Sequence, residues 1–384
     1  MYRIFYAERD TTLYEKYPKQ NTGIDQILEI TKIVSGSKLN GAIQANTYNT
    51  RVLIDFGTEI TAITNAIAAG DIPALSNENI TSASIFLNLR AAEATDLLHN
   101  YSIKAFPVSE SWQNGNGSFG DEPINKVGAS WYYRSGDGGG SDYIAWLTGS
   151  AHSNGQMGTT EKDNGGGTWI TGSGYEASQS FSNEAPDIRM NVTDIVEKWR
   201  ANSITNNGFM VKRPYTDEIS GENLGSLKFF GRETHTIYVP RLEVCWDDKT
   251  STGTKSVISS DTYVPYIKNI KSEYRTTEIA KFRVGVRPEF PTRSYSTASF
   301  YLTGERLPVS SSYSILDSVT NETVIPFTNV FSDSKTKISD DSNGSFFKLR
   351  MDSFMPERYY KIMLKCERAD DVQTFDDFYF KVVN

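Results

Sequence analysis

DIRMNVTDIVEKWRANSITNNGFMVKRPYTDEISGENLGSLKFFGRETHTIYVPRLEVCW, residues 187–246, is the stretch that decides the fold, because it predicts one helix followed by three strands. The helix follows a capping Asn191, and its apolar side chains fall at i, i+3, i+4 and i+7. These side chains are Val192, Ile195, Val196 and Trp199. Three runs with strand-like alternation follow, at residues 209–213, 226–233 and 236–246. A lone short helix before closing strands is typical of a β-sandwich.

The composition also favours an all-β chain. Aromatic residues make up 12% of the 384 residues, with 21 Tyr and 20 Phe, and such residues are enriched in strands. Before residue 187, strand-like runs occur at residues 2–6, 8–15, 25–33, 49–56, 80–90 and 101–108. Residues 58–69 are the other helical candidate.

Charge, cysteine content and hydropathy narrow the class of protein. The net charge of −8 does not resemble the basic footprint of a nucleic-acid-binding protein. No apolar run approaches the roughly 18 residues of a membrane span, and MYRIFYAERD lacks the apolar core of a signal peptide. We therefore expect assembly inside a cell. Cys245 and Cys366 are expected to be buried free thiols.

Residues 111–175 form a glycine-rich expansion of the first domain. More than half of the chain's 29 glycines lie there, and a long ordered loop in a compact domain usually serves a function or a partner. Its aromatic residues are the candidate ligand- or partner-binding residues: Trp112, Trp131, Tyr132, Tyr133, Trp146 and Trp169. They could form a glycan-stacking platform or a protein-binding surface, and the alternative is that they fasten the loop to the sandwich.

We expect no catalytic site, no metal and no cofactor. His99, His152 and His235 are scattered and have no accompanying nucleophile elbow. Six loop carboxylates are candidates for calcium ligands or for the carboxylate pair of a glycoside hydrolase. Their spacing instead favours the interpretation that they are charged loop residues in contact with solvent. They are Asp137, Asp142, Asp163, Asp217, Glu218 and Glu222.

The second half of the chain predicts another β domain. Residues 248–264 are small and polar and are typical of a linker. From 265 to 384, strands are expected at residues 280–287, 299–302, 313–316, 346–351, 359–365 and 375–383. That number of strands favours an immunoglobulin-like sandwich. A mild basic bias at residues 268–293 indicates solvated strand faces, or contact with an acidic neighbour.

The order of several short pieces adds a family resemblance for residues 8–246. The pieces are ERDTTLYEKYPKQNTG, ILEI, TRVLIDF, ITSASIFLNL, IKAFPVSESW, DIRMNVTDIVEKW, NNGFMV, LKFFGRE and PRLEV. In this order they resemble the DNRLRE family of β-sandwich modules, which are related to alginate-type carbohydrate-binding modules. The string that names the family is absent, and the middle is expanded. The resemblance implies a jelly-roll-like sandwich over residues 1–247.

A second resemblance concerns the C-terminal half. RLPVSSSYSILDSVTNETVIPF and SNGSFFKLRMDSFMPERYYKIMLK resemble a domain of structural proteins of marine and crAss-like bacteriophages. The combined expectation is an all-β virion protein of the neck, tail, baseplate or capsid surface, assembled in the host cytoplasm. Its first domain is a jelly-roll-like sandwich carrying one short helix, and its second is immunoglobulin-like.

The expected partners are other virion proteins and copies of the chain itself, without nucleic acid or membrane. The alternative is a carbohydrate-binding module that recognises a host-surface polysaccharide. A polysaccharide depolymerase is the least favoured reading, because it would need a carboxylate pair or a lyase site.

Overall fold

Two compact units make up the part of the chain that the computed structural model describes: residues 1–39, 42–77, 82–136, 143–146, 165–182, 185–290, 305–327, 335–368 and 371–384. The N-terminal unit comprises Phe5–Asn77 and Ser84–Glu243. The C-terminal unit comprises Met1–Ile4, a short segment ending at Ala83, and Val244–Asn384. Strands account for 45% of the described residues and helices for 8%, which confirms the all-β prediction.

Fourteen strands are described up to residue 245. They are β1 (Tyr2–Tyr6), β2 (Arg9–Tyr14), β3 (Ile27–Leu39), β4 (Ala42–Asp55), β5 (Ser84–Leu89), β6 (Ala91–Thr95), β7 (Asn100–Pro107), β8 (Tyr133–Ser135), β9 (Ile144–Ala145), β10 (Ala177–Ser182), β11 (Ile188–Asn191), β12 (Phe209–Lys212), β13 (Gly225–Phe230) and β14 (Arg241–Cys245). A four-stranded sheet has the order β1-β14-β5-β11. An eight-stranded sheet has the order β10-β7-β12-β4-β3-β13-β6, with β2 also paired to β4. The strands β8 and β9 pair separately.

The centre of the eight-stranded sheet is buried on both faces. Antiparallel registers place Met210 between Leu53 and Phe106, so their side chains share one face. The next pair along β12 and β4, Phe209 and Ile54, points to the other face. All five side chains are buried. Burial on both faces explains why β12 reads as the continuous run FMVK instead of alternating.

Three helices are described: α1 (Gly57–Ala68), α2 (Thr193–Arg200) and α3 (Tyr215–Glu218). The helix α2 buries the predicted stripe, including Ile195, Val196 and Trp199. Its N-cap residue is Val192, so the predicted cap, Asn191, lies one residue before the N-cap. The side chain of Asn191 still accepts a hydrogen bond from the N–H of Thr193. The helix α1 coincides with the candidate at residues 58–69.

Strand boundaries differ from the sequence-based expectation where polar chemistry intervenes. The strand predicted at 236–246 begins only at Arg241, because the hydroxyls of Thr234 and Thr236 bond to backbone N–H groups in a turn. The strands β6 and β10 were not predicted, since AAEAT and ASQSFS lack the β-branched alternation of typical strands.

The remaining strands form two sheets in the C-terminal unit. They are β15 (Tyr263–Ile267), β16 (Glu273–Arg275), β17 (Ile279–Pro288), β18 (Ser312–Asp317), β19 (Thr323–Ile325), β20 (Ser339–Asp341), β21 (Gly344–Arg350), β22 (Arg358–Glu367) and β23 (Val372–Val383). One sheet has the order β15-β17-β21-β20, and the other β16-β23-β22-β18-β19. A 3-10 helix, Met351–Ser353, follows β21. The strand predicted at 299–302 lies outside the described residues.

The segment 248–264, predicted as a linker, is hydrogen-bonded within the C-terminal unit. The N–H of Thr252 donates to the carbonyl oxygen of Asp340 at 3.0 Å, and the N–H of Arg306 donates to the carbonyl oxygen of Ser256 at 2.9 Å. Cys245 and Cys366 are buried thiols that are not joined by a disulfide, as predicted. No helix in the described ranges has the length and apolar character needed to cross a membrane.

Candidate interaction surface

Four tryptophans of the glycine-rich insert lie on one face of the eight-stranded sheet, inside the core. Each indole is at most 4% exposed. They pack in a single cluster with side chains from β2, β4, β7 and β12. The tryptophans are Trp112, Trp131, Trp146 and Trp169, and the sheet side chains include Leu13, Leu53, Phe106 and Met210.

The indole nitrogens explain why two of these side chains tolerate burial. Trp112 Nε1 donates to the carbonyl oxygen of Asn207 at 2.9 Å, and Trp146 Nε1 donates to that of Ser130 at 2.9 Å. An indole buried by its own chain cannot stack on a ligand unless the insert lifts away. In this structure Trp112, Trp131, Trp146 and Trp169 fasten the insert to the sheet, which is the alternative that the sequence left open, and a binding role for them stays a prediction.

The two predicted tyrosines differ from the tryptophans, because both stay partly exposed. Tyr132 packs against the buried cluster, and its ring centroid lies 6.3 Å from that of Tyr133. Tyr133 in turn lies 4.9 Å from Tyr143. Of the six predicted residues, these two retain a surface that a partner could reach.

Two glycines allow the insert backbone to approach the sheet. Gly166 has φ +80°, and a Cβ there would lie 2.3 Å from Nη1 of Arg51. Gly167 has φ +82°, and a Cβ there would lie 2.3 Å from the terminal methyl of Met210. Only glycine accepts both the positive φ and this approach, which accounts for the run of glycines at 165–167.

A buried ion cluster lies beside the tryptophans. Arg51 binds Glu218 through two hydrogen bonds of 2.9 and 3.0 Å, and Lys212 Nζ lies 2.8 Å from the same carboxylate. Arg51 also donates to the carbonyl oxygen of Gly166 at 2.7 Å. Its guanidinium lies 4.8 Å from the ring centre of Trp131, within cation–π range. The cluster therefore ties the insert, β4, β12 and α3 together.

The pKa values of Glu218 and Lys212 are shifted by their burial and by the charges of their partners in the cluster. Burial raises the pKa of Glu218, but the charges of Arg51 and Lys212 outweigh it and hold that pKa below its usual value. Burial lowers the pKa of Lys212 to about 8, with Glu218 opposing the change. Both groups depend on their partner to remain charged inside the protein.

Sequence reasoning missed this cluster, because it placed Glu218 among solvated loop carboxylates. Glu218 is buried, whereas Asp217 is partly exposed and Glu222 is exposed; the candidates Asp137, Asp142 and Asp163 lie outside the described residues. The available signal was a cation directly beside each of two apolar runs: Arg51 precedes VLI, and Lys212 follows FMV. Within the described ranges, no three His, Cys, Asp or Glu side chains converge as metal ligands would.

An exposed apolar surface lies where the insert meets residues 17–24. Phe119 is 51% exposed and Ile24 is 49% exposed. The ring of Tyr17 meets that of Phe119 edge-on at 5.6 Å. These three residues and the carboxylates beside them form what we call the aromatic patch: Tyr17, Ile24, Asp25, Glu29, Phe119, Asp121 and Glu122. Cations lie beside the patch as well, since Lys16 Nζ is 5.5 Å from the ring centre of Tyr17 and Lys228 pairs with Glu29 across the sheet.

Hydrogen bonds hold the patch in place. Asp25 accepts from the hydroxyl of Ser118 at 2.5 Å and from the N–H of Phe119 at 3.0 Å. Asp121 accepts from the N–H of Ser118 at 2.8 Å. Burial raises the pKa of Asp25, these hydrogen bonds oppose the rise, and the charge of Asp121 adds to it. Burial likewise raises the pKa of Glu29.

Two clefts adjoin these features. One, of about 570 Å³, is lined by residues 121–126 and Tyr143 at the border of the patch. The other, of about 270 Å³, lies beside the ion cluster. It is lined by Lys104, Phe106, Thr171, Glu176, Lys212, Pro214, Tyr215 and Thr216.

Comparisons with known proteins do not identify a family. No protein-family model and no curated protein matches the chain. Among solved structures, the chain resembles the Parabacteroides merdae β-glucuronidase with glycerol in its active site, at 9% identity and a TM-score of 0.16. That match covers 97% of this chain but only 35% of the glucuronidase chain. A similarity this low carries no argument about fold or activity.

We predict that Glu218→Gln destabilises the protein by about 3–5 kcal/mol, because it leaves two buried cations without a compensating charge. The matched control is Glu93→Gln, which breaks the Lys228–Glu93 pair at the surface, where the Glu93 side chain is 50% exposed. This control should cost less than about 1 kcal/mol. Urea unfolding measures both, and equal losses would contradict a role for the buried cluster.

We predict that Asp10→Asn stabilises the protein above pH 7. Burial raises the pKa of Asp10 to about 7, against an opposing hydrogen bond from the N–H of Arg232. The folded state therefore binds more protons than the unfolded state between about pH 4 and pH 7, so stability falls as pH rises through that window.

Removing the charge of Asp10 should raise the free energy of unfolding by about 2 kcal/mol or more at pH 8. This gain in stability should disappear below about pH 4. Thermal or urea unfolding across pH measures it. The control Asp261→Asn, at a fully exposed side chain, should show no such profile. A pH-independent difference between Asp10→Asn and the unaltered protein would contradict the assignment.

Proposed function

We propose that the chain is a structural protein of a phage virion, in the neck, tail, baseplate or capsid surface, and that it works through protein–protein contacts. The observation that carries the contact mechanism is the aromatic patch, in which exposed Phe119, on the insert fastened by buried tryptophans, lies beside exposed Tyr17 and Ile24 of the N-terminal segment. Exposed apolar groups rimmed by polar ones are typical of interaction sites. The assignment to a virion rests on the C-terminal resemblance.

The architecture suits such a role energetically. Side chains that are already held in place lose little freedom on binding, so more of their contact energy contributes to affinity. Aromatic groups near the centre of an interface commonly contribute most of that energy. Specific interfaces bury on the order of 1,600 Å² in total, so the patch would form the centre of a larger contact.

We predict that the chain is a component of purified particles of the virus that encodes it, and that Phe119→Ser reduces its incorporation at least about tenfold. Mass spectrometry of particles from cells that supply the variant in trans measures incorporation. The matched control is Ile219→Ser, at a side chain of the same unit that is 60% exposed outside the patch. Particles without the chain would contradict the virion assignment, and normal incorporation of Phe119→Ser would contradict the contact mechanism.

A carbohydrate-binding module for host-surface recognition is the second candidate, and the cleft beside Lys212 favours it. The cleft combines an aromatic ring, Tyr215, with the polar groups of Lys104, Thr171 and Glu176. Its volume of about 270 Å³ is just below the range of about 300–1,000 Å³ for ligand pockets, which limits it to a ligand as small as one sugar residue.

For this candidate, we predict that the full chain is retained on a polysaccharide array and that Tyr215→Ala weakens retention at least about fivefold through loss of ring contact. Tyr175→Ala is the control, because this partly exposed tyrosine does not line the cleft. Absence of retention on every glycan, or equal retention by Tyr215→Ala, would exclude this cleft as a glycan site.

A further inference from the structure

Three polar side chains on neighbouring strands of the N-terminal unit meet beside the ion cluster. Lys32 of β3 and Asn49 of β4 lie directly opposite each other in the antiparallel register, so their side chains share one face. Glu15 follows β2 and adjoins Asn49 from the other side, since its N–H donates to the carbonyl oxygen of Asn49 at 3.1 Å. Lys32 is fully buried and Asn49 is 7% exposed. We call Lys32, Asn49 and Glu15 the polar triad.

Hydrogen bonds bring the amine and the amide of the polar triad together. Lys32 Nζ donates to the backbone carbonyl oxygen of Glu218 at 2.5 Å, and Asn49 Nδ2 donates to the same oxygen at 3.3 Å. The two nitrogens are therefore neighbours. Glu15 Oε2 accepts from Nδ2 of Asn49 at 2.9 Å and from its backbone N–H at 2.7 Å. The carboxyl group thus lies at the nitrogen that would leave if the side-chain amide of Asn49 were opened.

The surroundings favour an uncharged amine and a protonated carboxyl group. Burial lowers the pKa of Lys32, against the charges of Glu15 and Glu218. Burial also raises the pKa of Glu15, against hydrogen bonds from Asn49 and the charge of Arg51. Transfer of one proton from Lys32 to Glu15 removes two charges from an interior in which charges are costly. An uncharged amine is a nucleophile, and a protonated carboxyl group is a general acid.

Hydrogen bonding alone leaves the polar triad poorly satisfied. Lys212 Nζ lies 2.8 Å from the carboxylate of Glu218, whereas Lys32 Nζ has only the neutral carbonyl oxygen of that residue as its acceptor among the described residues. Asn49 Oδ1 is buried and accepts no hydrogen bond from any described residue. A buried amine without a counter-charge and a buried oxygen without a donor both cost stability. A bond between the two side chains removes the buried charge and leaves one N–H for the carbonyl oxygen of Glu218.

We propose that the side chains of Lys32 and Asn49 join in an amide bond, with Glu15 as the proton carrier. The lone pair of Lys32 Nζ attacks Cγ of Asn49, and the bond between Cγ and Nδ2 breaks. Nδ2 takes a proton from Glu15 and leaves as ammonia, and Glu15 regains a proton from Nζ. One amine and one primary amide become one secondary amide and one ammonia, so no co-reactant is needed. The product is a covalent cross-link between β3 and β4, and it does not depend on which partner the chain binds.

The mass of the purified full chain tests this bond directly. The intact chain should weigh less than its sequence by one ammonia. Trypsin does not cleave after a lysine whose amine is acylated, so it should release residues 20–38 joined to residues 39–51. Tandem mass spectrometry of that species should place the bond between Lys32 and Asn49. An unreduced mass, with separate peptides 20–32 and 39–51, overturns the inference whatever any variant does.

Two substitutions test the assigned roles. Lys32→Arg keeps a positive charge but has no amine, so the joined peptides should disappear. Glu15→Gln keeps the amine and the amide but removes the proton carrier, so the cross-link should form at least about a hundredfold more slowly. An unchanged rate in Glu15→Gln would overturn the role of Glu15.

The matched control is an exposed contact between the same two residue types. Asn269 Nδ2 donates to the backbone carbonyl oxygen of Lys281 at 2.6 Å, and Lys281→Arg should leave the joined peptides unchanged. Loss of ammonia through ring closure at an Asn-Gly sequence also lowers the mass, but it joins no peptides and persists in Lys32→Arg. A mass loss that persists in this way, without joined peptides, therefore overturns the inference.

Discussion

The N-terminal unit depends on covering the second face of its eight-stranded sheet. The side chains of Leu13, Leu53 and Met210 on that face are fully buried, although they lie on the face opposite Ile54 and Phe209. Ordering a glycine-rich insert over them is entropically costly, because glycine loses more backbone freedom on folding than any other residue. Four indoles offset that cost, since each aromatic side chain buries a large apolar area.

The buried ion cluster is a consequence of the insert covering this face of the sheet. Once the insert closes over β4 and β12, Arg51 and Lys212 are cut off from water, and charges inside a protein need a partner. The one-turn helix α3 supplies it by ending at Glu218. Arg51 then also holds the insert, through the carbonyl oxygen of Gly166 and the ring of Trp131. The insert that covers the sheet and the buried pair of Arg51 and Glu218 therefore share contacts, and each depends on the other.

Strands and helices with a regular apolar period could be predicted from the sequence. Elements and buried side chains that depend on tertiary contacts could not. Alternation identified β1, β5, β7 and β17, and i, i+3, i+4 spacing identified α2. The edge strand β6 was missed because AAEAT has weak strand propensity and gains its order from pairing with β13. The insert has no period, so nothing in its sequence separates buried Trp131 from its partly exposed neighbour Tyr132. Likewise, Glu218 and Asp217 are adjacent, and only the position of α3 against β12 buries one and not the other.

Fastening the insert has opposite consequences for its two kinds of aromatic residue. The indoles are withdrawn from solvent, whereas Phe119 is left exposed on a loop whose backbone is held by Asp25 and Ser118. A floppy loop would have to be ordered by its partner, at a cost in affinity for each immobilised side chain. Here folding has already ordered it, and backbone hydrogen bonds hold the carboxylates of Asp25 and Asp121 in place. The surface therefore combines an apolar centre with a rim of fixed charges, to which Lys16 beside the Tyr17 ring also belongs. Such a surface selects a partner whose charge pattern and shape are both complementary to it.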